Sequence, residues 1–131
     1  LKKNEFIHSI KRPLFKKNIF KAFKISKRFD DDISSVCGSF NFEIDKNKIK
    51  EVFIAFGGMA AVPKRAKACE KILKNKPLNL STFNQAKNYL DKDLSPIGDM
   101  RASKEYRLEI AKNLLMKCFV EIDSNKLTRV N

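Results

Sequence analysis

The stretch from Ser34 to Phe56 is the part of the sequence that most restricts the fold. Val36, Gly38, Phe40, Phe42 and Ile44 fall on one side of an extended chain, and Ser35, Cys37, Ser39, Asn41 and Glu43 on the other. Alternation with a period of two places the apolar set on one face of a half-buried strand. Asp45-Lys46-Asn47-Lys48 supplies turn chemistry, and Ile49 to Phe56 is again β-branched and aromatic, so the two runs are predicted to pair as an antiparallel hairpin. Gly57 and Gly58 end it.

Upstream, Ile19 to Ser26 sets Lys21, Phe23 and Ile25 against Phe20, Ala22 and Lys24 and reads as another strand. Glu5 to Lys11 mixes Phe6, Ile7 and Ile10 with polar neighbours, stops at Pro13, and fits either a strand or one helical turn. Downstream the period changes. Pro63 suits a first helical position, and Ala66, Cys69 and Leu73 recur at helical spacing, which predicts a helix from about Pro63 to Lys74. Beyond Pro77, Thr82 with Gln85 forms a capping box ahead of Phe83, Ala86 and Leu90. Leu108, Ala111, Leu115, Cys118 and Ile122 make one stripe, flanked by Ile110, Leu114 and Phe119, and predict a long helix from near Ser103. Strands followed by helices predict an α+β fold: two layers, an antiparallel sheet of three to four strands with about three helices on one face. A single domain is expected over 1–131, with 1–18 as a strand or linker leading in, 19–57 as strands and 63–122 mainly helical.

Composition narrows the class. With 131 residues, 43% of them hydrophobic, the chain suits one core. It starts at Leu1 rather than methionine, which reads as a piece of something longer. No apolar run approaches the roughly 20 residues of a membrane-spanning helix, and no secretory signal is present, so no membrane is expected. Cys37, Cys69 and Cys118 are widely spaced and odd in number, giving neither a disulfide framework nor a metal-binding pair; a reducing cytoplasm is the simplest reading. The net charge of +13 admits a basic module that binds nucleic acid or an acidic protein. Because lysine is scattered along the whole chain rather than clustered, solvated faces are the preferred reading and nucleic acid is disfavoured.

Catalytic chemistry finds little support. The single histidine, His8, has no ligand partner and cannot assemble a nucleophile's base and orienting group by itself. Gly57-Gly58 before a predicted helix invites an anion-binding loop, but the Gly-Lys-Ser/Thr ending and the third glycine of a dinucleotide fingerprint are missing. Arg28 with Asp30, Asp31 and Asp32 reads as a turn with compensating charges, and Asp99, Arg101 and Arg107 as capping and docking residues near the start of the long helix.

Three segments in order, FKISKRFDDDISSVCGSFNF, IAFGGMAAVPKRA and DLSPIGDMRASKEYRLEIAKNLL, together resemble the C-terminal domain of the FAD-carrying subunit of bacterial xanthine dehydrogenases, related to that of carbon monoxide dehydrogenase flavoprotein. The likeness covers about Phe20 to Val120, and Glu5 to Pro13 resembles the strand that leads into this domain. It implies an oxidoreductase complex in which purine hydroxylation occurs at a molybdopterin cofactor on a separate large subunit. Electrons would pass through two-iron two-sulfur clusters to FAD and on to NAD. The partners implied are the upstream iron-sulfur and FAD domains and the large subunit, and the domain alone is expected to be inactive. By the same resemblance Gly57, Gly58, Met59, Lys64 and Arg65 form a flavin-proximal loop, with Lys64 and Arg65 near the electron-rich side of the ring. Lys27, Arg28, Asp32 and Ile33 would form the segment that docks on the FAD domain. The lysine-rich surface departs from the family's usual composition, so surface contacts do not transfer.

Overall fold

The computed structural model describes residues 1–11, 17–29 and 31–125. Strands β1 (Ile19–Ile25), β2 (Val36–Asp45), β3 (Lys48–Gly57) and the two-residue β4 (Lys64–Arg65) form one antiparallel sheet in the order β1-β2-β3-β4. The predicted hairpin is β2–β3. Lys46 and Asn47 both take positive φ, 46° and 60°, as a two-residue turn matched to strand twist requires. The pairing passes from Glu43 opposite Glu51 to Ile44 opposite Ile49, which leaves Lys50 in a bulge. Ile49 and Val52 therefore both reach the core although they are three residues apart.

Helices α1 (Lys67–Leu73), α2 (Leu80–Lys87), α3 (Leu90–Asp93) and α4 (Lys104–Asp123) cover one face of the sheet. Between the layers lie Val36, Phe40, Phe42, Ile54 and Phe56 from the strands and Leu73, Phe83, Leu90, Leu115 and Cys118 from the helices, all buried. Phe83 is central, with its ring centroid 5.9 Å from that of Phe42 and 4.8 Å from that of Phe119. Gly38 occupies an inward position because a Cβ there would come within 2.9 Å of the Phe40 ring and 3.0 Å of the Phe56 ring. The predicted faces of β2 and the α+β class are as observed, with a fourth, one-turn helix added to the expected three; in β1, whose faces the sequence does not separate cleanly, Lys21, Phe23 and Ile25 are the less exposed set.

Three local expectations need correction. The helix expected from about Pro63 begins at Lys67, because Lys64 and Arg65 pair first with Phe56 and Ala55 of β3. Thr82 is not a cap: Asn79 is, its side chain accepting from the Thr82 backbone N–H at 2.9 Å, so α2 starts earlier than the capping-box pattern indicated. Glu5 to Lys11 forms neither strand nor helical turn and is exposed throughout; Phe6, Ile7 and Ile10 find no place in this core. Pro13 lies outside the described residues.

Truncation at the central ring gives a direct check on the two-layer packing. Phe83→Ala is expected to cost about 3–5 kcal/mol, because both flanking rings lose their partner and the site cannot collapse fully. Urea unfolding should show a lower midpoint with an unchanged slope.

Candidate functional site

Three connections meet at one end of the sheet: residues 26–35 between β1 and β2, residues 58–63 between β3 and β4, and residues 94–103 between α3 and α4. They meet around Arg107, which is on the first turn of α4 and only 4% exposed. Its Nη1 donates to the carbonyls of Ser35 and, at 3.0 Å, Gly58, while Nε reaches the Ala102 carbonyl at 3.5 Å. Nη2 donates to Asp99 Oδ1 at 2.7 Å. The Ser35 and Gly58 carbonyls lie where β2 begins and where β3 has just ended, beyond the reach of the ladders, while the Ala102 carbonyl, just ahead of α4, also accepts from the Asp99 N–H at 3.0 Å. A guanidinium supplies the fork of donors that such a junction requires.

Asp99 holds the third connection together. Its Oδ1 also accepts from the backbone N–H groups of Arg101 at 2.8 Å and Ala102 at 3.1 Å. Those donors, led by Arg101 and followed by the Arg107 side chain, hold the carboxyl well below its usual range, at about 2. Next to it the Met100 carbonyl accepts from Lys27 Nζ at 2.7 Å, which ties the β1–β2 connection to the α3–α4 connection. Within the β1–β2 connection Asp32 accepts from the backbone N–H groups of Arg28 and Ile33 and pairs with the Arg28 side chain at 3.8 Å. The Arg28 N–H, above all, lowers the Asp32 carboxyl pKa. The predicted compensating turn is thus present for Arg28 and Asp32; Asp30 lies outside the described residues.

Gly58 has φ of 78°, and a Cβ on it would sit 2.5 Å from the Ser35 carbonyl oxygen and 3.0 Å from Arg107 Nη1. Glycine is required there on both counts. Met59 turns inward and is fully buried, with its carbonyl accepting from the Ser95 N–H at 3.1 Å. Arg65 is held by Glu70 through two bonds of 2.6 Å and lies 4.7 Å from the Phe53 ring centroid, and the Glu70 bonds raise its pKa further. Glu70 also accepts from the Ile54 N–H at 2.7 Å, so it closes a ladder position that the short β4 leaves open. Lys64 is exposed beside it.

The loop tips carry apolar side chains into solvent. Phe29 is 99% exposed, Met100 85% and Ile33 64%. A groove of about 270 Å³ runs between Ile33, Lys27 and Met100, beside a second of about 390 Å³ lined by Ile25, Ala102 and Tyr106. The structure therefore brings both expected groups, Lys27, Arg28, Asp32 and Ile33 with Gly57, Gly58, Met59, Lys64 and Arg65, to the same end of the sheet. Reasoning from sequence did not single out Phe29 or Met100 and left Arg107 as a docking residue. The signal for Arg107 was its position on the apolar stripe, at helical spacing from Ala111, Leu114 and Cys118.

The comparisons with known proteins agree with this architecture. The model for the CO dehydrogenase flavoprotein C-terminal domain matches residues 21–122. The xanthine dehydrogenase FAD-binding subunit of Escherichia coli O157:H7 is 32% identical over 99 residues, covering 76% of this chain and 34% of that subunit. The glyceraldehyde dehydrogenase medium chain of Sulfolobus acidocaldarius is 30% identical over 123 residues, covering 92% of this chain and 42% of that one. Among solved structures, carbon monoxide dehydrogenase from Hydrogenophaga pseudoflava superposes with a TM-score of 0.72 at 17% identity over 78% of this chain and 35% of that one. Quinoline 2-oxidoreductase from Pseudomonas putida 86 gives 0.71 at 18% identity, over 83% and 38%. The chain belongs to the CO dehydrogenase flavoprotein C-terminal domain family. It spans about a third of the length of the xanthine dehydrogenase subunits it matches.

Two outcomes follow from the Arg107 junction. Arg107→Ala leaves the Ser35 and Gly58 carbonyls without their guanidinium donor and should cost roughly 2–4 kcal/mol in urea unfolding. Because the Asp99 pKa is depressed in the folded chain, its contribution to stability is complete above the ordinary carboxylate range near 4 and is lost as pH falls through about 2. An NMR titration of the Asp99 carboxyl should find that low midpoint, and Arg107→Lys should raise it.

Proposed function

We propose that this chain is the C-terminal domain of the FAD-binding subunit of a molybdenum hydroxylase, and that its loop end faces the preceding domain as one wall of the flavin site. The observation that carries this reading is the concentration of solvent-exposed Phe29, Ile33 and Met100 on a backbone framework tied down by Arg107, Asp99 and Lys27. An apolar surface on fixed loops is what a domain interface needs, since little conformational freedom remains to be lost on docking. Membership of a flavoprotein C-terminal domain family supports reading it as the interface with the preceding domain.

The residues present fit one wall of such a site rather than a whole one. Apolar tips suit the flank of a ring system, the exposed Gly58 turn lets backbone approach closely, and Lys64 offers a positive charge. Lys27, Arg28, Asp32 and Ile33 serve the docking side; Gly57, Gly58 and Lys64 serve the cofactor side, with Met59 and Arg65 supporting them from the core and the sheet edge. FAD, when bound, supplies the electron-accepting and electron-donating chemistry. This chain orients it, shields it from water and balances charge.

In the finer form of the proposal, the complex is a cytoplasmic xanthine dehydrogenase that passes electrons from purine hydroxylation at molybdopterin, through two-iron two-sulfur clusters and FAD, to NAD. The placement of charge gives nucleic-acid binding little support, since Lys21 on β1, Lys74 at the end of α1 and Lys112 and Lys117 on α4 are engaged in ion pairs.

The complete protein of which this chain is part is expected to purify with FAD; a preparation that neither carries nor takes up FAD would reject the assignment. In that holoprotein Lys64→Ala should lower the flavin reduction potential by on the order of 30 mV, equivalent to about 1.4 kcal/mol for a two-electron couple. An unchanged potential would remove Lys64 from the cofactor side.

A further inference from the structure

Arg107 and Asp99 connect two surfaces that the proposed function treats as separate. On one side, Arg107 Nη1 holds the carbonyl of Ser35, where the β1–β2 connection that carries Lys27 to Ile33 returns to the sheet. On the other, the same nitrogen holds the Gly58 carbonyl at 3.0 Å, within the turn whose φ of 78° and crowding against Ser35 leave it one conformation. Asp99 fixes the guanidinium from the solvent side at 2.7 Å and orders the backbone of Arg101 and Ala102. Between Asp99 and Arg101, the Met100 carbonyl receives Lys27 Nζ. The contacts form a closed circuit, Lys27 to Met100, Asp99, Arg107, Gly58 and Ser35, and back along the β1–β2 connection. Movement of either surface must therefore be shared with the other or must break a charge-assisted bond.

We propose that Arg107, held by Asp99, is a positioning residue that couples the docking loop to the Gly57-Gly58 turn, so that seating the preceding domain on Lys27 to Ile33 sets the backbone presented to the cofactor. The proposal rests on the reading of the loop end as one wall of a flavin site. It adds that docking and cofactor affinity are one linked equilibrium. Asp99 is on the surface, so Asp99→Ala removes the Oδ1 acceptor and opens the circuit without emptying the core.

Two measurements test it. In the 131-residue chain, with a melting curve to verify folding, Asp99→Ala should speed amide exchange in both the 27–35 and 57–60 segments; a response confined to one segment, or to neither, overturns the coupling whatever the fate of the cofactor. In the complete FAD-containing protein, Asp99→Ala and Lys27→Ala should each weaken FAD binding about five-fold or more. The double variant should fall clearly short of the product of the two, because both open the same circuit. Effects that multiply, or an FAD dissociation constant that Asp99→Ala leaves unchanged, overturn the proposal while leaving the flavin-wall reading intact. A complete protein with no affinity for FAD removes that reading instead, and with it the cofactor half of the coupling.

Discussion

A buried guanidinium at the end of the sheet is the constraint on which the functional surface depends. β2 begins, β3 ends and α4 begins at nearly one point, which leaves the carbonyls of Ser35 and Gly58 without a ladder or a helix to pair with. A methionine or leucine at position 107 would match the rest of the α4 stripe in polarity but would strand those acceptors, at a cost that burial makes large. Arg107 satisfies them and takes its own counter-charge from Asp99, which water still reaches. The polar junction persists because every member has a partner.

The same solution recurs away from this end. Asp93, some 25 residues along the chain, accepts from the Ala68 and Cys69 N–H groups at 2.9 Å and caps α1, whose own preceding residue, Ala66, cannot. Glu70 completes the open edge of β3 beside Arg65. Cys69 and Cys118 are packed as small apolar groups, and burial raises both thiol pKa values, that of Cys118 to about 12. Ionised side chains at these places connect one element to another, and at the loop end Lys27, Asp99 and Arg107 do the same for the connections that carry Ile33 and Met100. Loops so fixed can present apolar tips to a neighbour without losing their shape.

Much of this was legible in the sequence. Strict alternation marked β2 because a half-buried strand has only one way to place Val36, Phe40, Phe42 and Ile44; β-branched and aromatic content after a turn marked β3, and the α4 stripe was equally plain. Local signals failed where a distant partner decided the outcome. Pro63 suggested a helix start, but sheet pairing of Lys64 and Arg65 and capping by Asp93 moved it to Lys67. Asn79 outcompeted Thr82 because the chain is extended at Asn79 and its side chain can turn back onto the helix. At the candidate site the glycine turn and the docking loop were visible as segments, whereas their union was not. It depends on one arginine whose sole sequence mark was a charge on an apolar stripe, and on exposed Phe29 and Met100, whose polarity gave no hint of exposure.

The central claim, that the loop end of the sheet meets the preceding domain, is tested most directly by comparing amide exchange in this chain alone with exchange in the complete protein. The account predicts added protection in segments 27–33, 57–62 and 97–101, with the hairpin turn at Lys46 and Asn47 unchanged. Protection at that turn, with the three connections exchanging as they do in the isolated chain, would contradict it.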